Sequence, residues 1–131
     1  MSLNVRVITP DKVVWDAMAE ELILPSSTGQ LGILTDHAPL LTALDIGVMR
    51  LKADDNKWTS IVLMEGFAEV EDNKVTILSN GAEEGASIDP STAQAELEKV
   101  TLLVDQATTK KEKIEATLEL RKAKARLQAV A

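Results

Sequence analysis

The chain has 131 residues and a mass of 14.2 kDa, which suits one domain or a compact domain with a small appendage. Its 45% hydrophobic and 27% charged residues are typical of a globular protein, and no apolar run approaches the ~20 residues of a transmembrane helix. The net charge of −7 argues against nucleic acid as the main partner, and the absence of cysteine and the single histidine, His37, exclude thiolate chemistry and a multi-histidine metal site.

Residues 1–80 are predicted to form an all-β domain. Short runs rich in Val, Ile, Leu and Thr alternate there with polar residues, as in the segment from Leu3 to Val7. We predict strands at 3–9, 12–18, 21–25, 31–34, 46–52, 58–64, 67–71 and 74–79. The turn residues Asp54-Asp55-Asn56 and Asp72-Asn73 predict two hairpins. Many short strands without helices between them favour a sandwich or flattened barrel.

The sequence pattern changes after residue 80. Residues 81–89 contain two glycines and no usable period, and are predicted to be a linker. Residues 90–131 are predicted to form two helices that pair as an antiparallel hairpin, because Thr108-Thr109 interrupts an apolar stripe with helical spacing. Asp89 and Pro90 are predicted to begin the first helix, and Thr109 with Glu112 is predicted to form the capping box of the second.

The helical hairpin is predicted to be only marginally stable by itself. Its stripe consists of Ala93, Leu97, Val100, Val104, Ala107, Ala116, Leu120, Ala123, Leu127 and Val130. Four of these ten residues are alanine, which contributes far less on burial than the ~1.5–3 kcal/mol of Leu or Val. Ordering a residue costs on the order of 1–2 kcal/mol before hydrogen bonds and burial offset it. We therefore expect the hairpin to need the sandwich or a partner to hold it.

No segment carries the signature of a catalytic, cofactor or metal site. The turn-rich segment between Pro25 and Gly47 lacks the glycine spacing of a phosphate-binding loop, so we interpret it as turns between strands. His37 has no nucleophile-elbow signature around it. The acidic pairs lack the order of a calcium-binding loop and are interpreted as solvated surface; they are Glu20-Glu21, Asp54-Asp55 and Glu83-Glu84. We expect neither enzyme activity nor a small-molecule substrate.

Charge is distributed unevenly along the chain. Residues 1–88 carry six Lys/Arg against 14 Asp/Glu, whereas residues 89–131 carry eight against seven. Four basic residues lie near the end of the second predicted helix: Arg121, Lys122, Lys124 and Arg126. Cations there complement the helix dipole, which is one interpretation. A basic, alanine-rich helix on an acidic protein also suits an acidic protein partner, and the sequence leaves both interpretations open.

Several motifs together resemble the epsilon subunit of F-type ATP synthases over essentially the whole chain. They are Gly29-Gln-Leu-Gly32-Ile-Leu followed by His37-Ala-Pro39-Leu40, then Gly66-Phe67-Ala68-Glu69-Val70, and finally the C-terminal pair of helices. Two further segments are most similar to the chloroplast and cyanobacterial branch of that family. These are Val13-Val14-Trp15-Asp16 and the ending Arg121-Lys-Ala-Lys-Ala-Arg-Leu127.

The resemblance implies a non-catalytic rotor subunit of the central stalk, which couples proton-driven rotation of the membrane c-ring to ATP synthesis. In that family the sandwich binds the gamma subunit and the c-ring loops. The helices inhibit ATP hydrolysis by extending to an acidic segment of the catalytic β subunit. Carried over by matching residues, the rotor interface comprises Gln30, Leu31, Gly32, His37, Ala38, Pro39 and Leu40, and the inhibitory helix carries Arg121, Lys122, Lys124 and Arg126. The implied location is the thylakoid membrane, on its stromal or cyanobacterial cytoplasmic side.

Some bacterial members of the family bind ATP through an I/L-D-x-x-R-A motif, which corresponds to Ile88-Asp89-Pro90-Ser91-Thr92-Ala93 here. Thr92 stands at the arginine position, and its neutral hydroxyl cannot supply the forked, charged contact to phosphate. The sequence therefore argues against ATP binding.

The competing interpretation is a free-standing β-sandwich binding module with a helical dimerisation tail. Such a module needs an exposed aromatic face for its ligand. The chain contains Trp15, Trp58 and Phe67 as its only aromatic residues besides His37, and no tyrosine.

Overall fold

The computed structural model describes residues 2–53 and 55–130. Within these residues, ten strands precede a short 3₁₀ turn and two α-helices. This order agrees with the predicted all-β domain followed by a helical hairpin. The strands are β1 (Leu3–Ile8), β2 (Val13–Ala19), β3 (Glu21–Ser26), β4 (Gly29–Leu34), β5 (Leu40–Leu44), β6 (Gly47–Lys52), β7 (Trp58–Leu63), β8 (Gly66–Glu71), β9 (Lys74–Ser79) and β10 (Ala82–Glu84). The 3₁₀ turn (Gly85–Ser87) leads to α1 (Pro90–Gln106) and α2 (Lys110–Val130).

The strands form a nearly closed sandwich. Their hydrogen-bonded order is β10-β7-β6-β3-β5-β8-β9-β1-β2, with β4 paired to β3 outside this path. The pairs are antiparallel except for β1 and β9, which run parallel with Val5 opposite Val75. Alternate residues of each strand point inward and form the core. Its largest fully buried side chains include Leu3, Leu22, Leu24, Ile33, Met49, Leu51, Ile61, Leu63 and Ile77.

Two strands are absent from the sequence prediction. β5 lies in the segment interpreted as turns, and β10 lies in the predicted linker 81–89. β5 is apolar on both of its faces, since Leu44 is buried whereas Leu41 is 70% exposed, and it therefore lacks the alternation that indicates a strand. β10 has three half-buried residues and is held by its pairing to β7. The other strand bounds agree with the predicted ones to within two residues at each end.

The two predicted hairpin turns are located as expected. Asp72 and Asn73 join β8 to β9 with φ values of 50° and 62°, the left-handed conformation that a two-residue turn of this kind requires. Asn56, with φ of 63°, lies in the turn between β6 and β7. Asp54, which belongs to the same predicted turn and to one acidic pair, lies outside the described residues.

The two helices form an antiparallel hairpin, called the arm below, and the arm packs on the sandwich. Ala93 and Val100 of α1 and Ala123 of α2 are buried, as the predicted stripe requires. A second face of α2 meets β6 and β7, where Ala125 forms an apolar cluster with Val48 and Val62. In the described part of the chain, neither helix is long and apolar enough to cross a membrane.

Both predicted helix caps are confirmed. The Asp89 carboxylate accepts a hydrogen bond from the Ser91 backbone N–H at 3.3 Å, and Pro90 is the first residue of α1. At α2 the Thr109 hydroxyl accepts from the Glu112 N–H at 3.1 Å, while the Glu112 carboxylate accepts from the Thr108 N–H at 3.1 Å. Glu112 thus reaches one residue further back than in the standard capping box.

Candidate partner-binding surfaces

An apolar row crosses the outside of four neighbouring strands. The register places Ala43 of β5 opposite Phe67 of β8, Phe67 opposite Leu78 of β9, and Leu78 opposite Ile8 of β1. Leu41 points the same way as Ala43, because it lies two residues away on the same strand. We call these five residues the attachment face.

The attachment face is uncovered. Leu41, Phe67 and Leu78 are 70%, 57% and 53% exposed. Beside them lies an open groove of about 630 Å³, whose lining includes Ile8, Ala43, Phe67 and Leu78. Contiguous exposed apolar surface of this kind is typical of a protein-contact site. The sequence prediction missed Leu41, Phe67 and Leu78, although apolar residues at the outward positions of alternating strands were the signal available.

The predicted rotor-interface residues around His37 lie in the loop before β5. The His37 Nδ1 donates to the Ala38 carbonyl at 2.7 Å. The loop is fixed to the turn between β8 and β9, because the Asp36 N–H donates to the Asn73 side chain at 2.6 Å and the Asn73 amide donates back to Asp36 at 3.0 Å. Ala38 is exposed, as is the neighbouring Pro39. The His37 imidazole therefore hydrogen-bonds to the backbone of its own loop.

The remaining predicted rotor-interface residues include two that are exposed and two that are half-buried. Gln30 and Gly32 of β4 are exposed, whereas Leu31 and Leu40 are half-buried and pack against the core. Ser26 pairs with both Gly29 and Leu44, so Gln30 lies toward the end of β5 that is opposite to His37. The predicted interface thus extends along the sandwich instead of forming one patch.

Three of the four basic residues of the predicted inhibitory helix pair with carboxylates of the same chain. Arg121 lies 3.6 Å from Asp45, and Lys122 lies 3.5 Å from Glu119. Arg126 lies 2.7 Å from Glu83 and 2.9 Å from Glu96, with its side chain only 23% exposed. Lys124 is exposed.

The environment of Arg126 keeps its guanidinium charged. Partial burial acts to lower the pKa of Arg126, but the hydrogen bond to Glu83 and the charges of Glu83, Glu96 and Glu119 outweigh burial and raise the pKa above its ordinary value. The positive charge of Arg126 is therefore retained, and Glu83 and Glu96 already neutralise much of it.

The segment that corresponds to the ATP-binding motif, with Thr92 at the arginine position, borders a cavity of about 450 Å³ between β10, α1 and α2. Its charged lining residues are Glu83, Asp89, Glu96 and Arg126. Thr92 donates a hydrogen bond to Asp89 at 2.7 Å instead of presenting a cation. Three carboxylates around one guanidinium produce a potential that repels phosphate groups.

A sandwich with one uncovered apolar face, and with a basic helical arm folded against another face, is the arrangement of a protein-interaction subunit. The family model for the β-sandwich domain of the ATP synthase delta/epsilon chain matches residues 2–85. The model for the long α-helix domain of the same chain matches residues 86–131. The chain therefore belongs to the ATP synthase delta/epsilon family, and the resemblance drawn from the motifs is confirmed.

Relatives of known name are similar to this chain over nearly its whole length. The chain is 88% identical over 131 residues to the chloroplastic ATP synthase epsilon chain of Emiliania huxleyi, with 100% of both chains covered. It is 58% identical over 132 residues to the ATP synthase epsilon chain of Thermosynechococcus vestitus, covering 98% of this chain and 95% of that one. Its fold is similar to a chain in the cryo-EM structure of the Euglena gracilis mitochondrial ATP synthase, with a TM-score of 0.86, 19% identity, and coverage of 99% and 82%.

Proposed function

We propose that this chain is a non-catalytic central-stalk subunit of a thylakoid ATP synthase, which couples c-ring rotation to ATP synthesis and restrains ATP hydrolysis. The observation that carries the proposal is the uncovered attachment face on a chain of this family. A full-length relative at 88% identity is a chloroplastic epsilon chain, and a chain of similar fold occurs in the central stalk and c-ring of the Tetrahymena thermophila mitochondrial ATP synthase. Both support a place in the rotor.

The attachment face binds the gamma subunit in this proposal. Leu41, Phe67 and Leu78 supply the apolar contact, and the loop around His37 continues this surface before Leu41 at the start of β5. Gln30, toward the other end of β5, contacts the polar loops of the c-ring. Leu31 and Leu40 support this surface from inside, because their side chains pack against the core.

The arm supplies regulation in this proposal. Its second helix leaves the sandwich, extends along gamma and meets an acidic segment of the catalytic β subunit through Arg121, Lys122, Lys124 and Arg126. The small apolar contact of the arm with Val48 and Val62 is compatible with release. The cavity beside Thr92 takes no nucleotide, since its carboxylates repel phosphate.

The attachment face can be tested by changing Phe67 and Leu78 together to serine. Each side chain contributes about 1.5–3 kcal/mol when fully buried, so binding to the gamma subunit of the same ATP synthase should weaken by at least about tenfold. The measurement is titration calorimetry with purified gamma. Both residues point outward, so the unfolding midpoint of the variant should change little.

Met18→Ser is the matched control, because Met18 is 50% exposed on β2 and pairs with Asn4, away from the apolar row. This variant should bind gamma like the unchanged chain. Equal binding by the double variant and the control would refute the assignment of the attachment face.

A further inference from the structure

Arg126 joins three separate elements of the chain. Its Nε donates to Glu83 of β10 at 2.7 Å, and its Nη1 donates to Glu96 of α1 at 2.9 Å, while Arg126 itself belongs to α2. The other ion pairs between the described residues span 3.5 to 3.9 Å. The planar guanidinium can hold two carboxylates at fixed angles, which an ammonium group cannot do. We call Arg126, Glu83 and Glu96 the clasp.

The apolar contact between arm and sandwich is small. It centres on Ala125 and Ala129 against Val48 and Val62, with Ile46, Met64 and Ile88 at its margin. Alanine buries little area, so this contact contributes less than a leucine-based interface of the same length. The arm and the sandwich therefore depend strongly on the few polar contacts between them.

Among the described residues, two ion pairs join the arm to the sandwich, Arg121–Asp45 at 3.6 Å and Arg126–Glu83 at 2.7 Å, and the second is the shorter and less exposed. Exposed ion pairs contribute little, because solvent screens them and ordering two long side chains costs entropy. The Arg126 side chain is instead 23% exposed and makes two short, charge-assisted hydrogen bonds. Removing the guanidinium would leave two half-exposed carboxylates close together, and Glu119 adds a third negative charge nearby.

We propose that the clasp holds the arm on the sandwich through the Arg126–Glu83 bond, while Glu96 within the arm orients the guanidinium, and that the arm is released when external carboxylates replace Glu83 beside Arg126. This inference rests on the proposed inhibitory role of the arm, and it adds the residues that set the docked state. One guanidinium cannot serve the internal and the external carboxylates together. Docking and partner binding therefore exclude each other at this side chain.

The experiment measures arm docking in the isolated full chain, where no partner is present. The chain has no cysteine, so spin labels can be attached to Lys57→Cys on the sandwich and Lys113→Cys on the arm. Electron–electron double resonance then gives the distance distribution between the labels. The otherwise unchanged chain should give one narrow peak from the docked arm.

Arg126→Gln should increase the undocked fraction at least about fivefold, and Glu96→Gln and Glu83→Gln should increase it by smaller factors. Lys124→Gln is the matched control, because it removes an equal charge from an exposed position of the same helix; it should leave the distribution unchanged. Raising the salt concentration should broaden the distribution of the unchanged chain more than that of Arg126→Gln. Amide exchange in β1 and β9 monitors whether the sandwich remains folded in each variant.

A narrow docked peak for Arg126→Gln, or equal undocking by Lys124→Gln, would overturn the clasp. Since no partner takes part, this result is independent of whether the arm inhibits a catalytic head. If docking of the arm depends on Arg126 but the chain does not inhibit ATP hydrolysis, the clasp stands and only the inhibitory role is refuted.

Discussion

Among residues 2–53 and 55–130, five residues other than glycine adopt a positive φ, and their identities show where the backbone is strained. Asp36, Asn56, Asp72 and Asn73 are of the types that tolerate the left-handed conformation. Glu65, with φ of 64°, is not. It precedes Gly66, whose φ of 151° and close approach to β9 require glycine: a Cβ added there would lie 1.9 Å from the Leu78 carbonyl oxygen.

Neighbouring substitutions at this turn should have opposite effects on stability. Glu65→Gly should raise the free energy of unfolding by about 0.5–1 kcal/mol, because relief of a left-handed non-glycine residue outweighs the added chain entropy. Gly66→Ala should lower it by about 2 kcal/mol or more, because the backbone of β9 must move. Urea unfolding followed by circular dichroism measures both variants. A loss of stability in Glu65→Gly would contradict the assignment of strain to Glu65.

At the scale of elements, the sequence predicts what local chemistry determines. The helix caps at Asp89 and Thr109 and the turn at Asp72-Asn73 are confirmed, because each depends on residues a few positions apart. β5 could not be predicted, since Leu41 and Ala43 place apolar side chains on its outer face and remove the alternation. β10 could not be predicted either, because its stability comes from a backbone ladder to the distant β7.

The caps make the helicity of the arm pH-dependent. Hydrogen bonds from the Thr92 hydroxyl and the Ser91 backbone lower the pKa of Asp89, and a backbone hydrogen bond from Thr108 lowers the pKa of Glu112. A carboxyl whose pKa is lower in the folded state stabilises that state above its unfolded pKa, about 4 here. That stabilisation is lost as the pH falls through the folded pKa.

We therefore expect the helical circular dichroism of the arm to weaken as the pH falls below about 4. The double variant with Asp89→Asn and Glu112→Gln should lose much of this pH dependence, because its caps carry no titrating group. Glu115→Gln, an exposed position on the same helix, is the control and should follow the unchanged chain. An identical acid transition in the double variant and the control would contradict the role of the caps.

At the scale of the whole molecule, the sandwich has two apolar outer faces, of which one is covered by the arm and the other is exposed. The arm covers Val48 and Val62, and no described residue covers Phe67 and Leu78. Motif resemblance predicts the family. It does not predict which side chains are exposed, because exposure depends on strand register and on what packs above each strand. Leu40 and Leu41 show this, since the adjacent leucines point to opposite sides of β5.

The four basic residues near the end of α2, called the basic cluster here, can be tested for inhibition separately from the clasp. Changing Arg121, Lys122 and Lys124 to glutamine while Arg126 is kept should relieve inhibition of a reconstituted catalytic head without weakening gamma binding. The rate at which inhibition begins should also fall as salt rises, because exposed charges are screened over ~8–10 Å. ATP hydrolysis after addition of the chain to the head is the measurement.

The control changes Lys110, Lys111 and Lys113 to glutamine, which removes the same charge from the other end of α2. Equal relief by this control would assign inhibition to net charge and not to the cluster. Full inhibition by the cluster variant would refute the inhibitory role of the cluster.

β10 closes the β7 edge of the sheet, and we expect this pairing to limit self-association. It pairs with the apolar segment Ile61, Val62 and Leu63 of β7, and it is itself short and acidic, which makes it a poor template for another strand. If β10 were stripped away together with a departing arm, β7 would present unpaired amides beside apolar side chains, as aggregation-prone edges do. If the arm is to leave the sandwich without exposing the β7 edge, the chain must therefore bend after β10, between Gly85 and Asp89, so that β10 stays paired with β7.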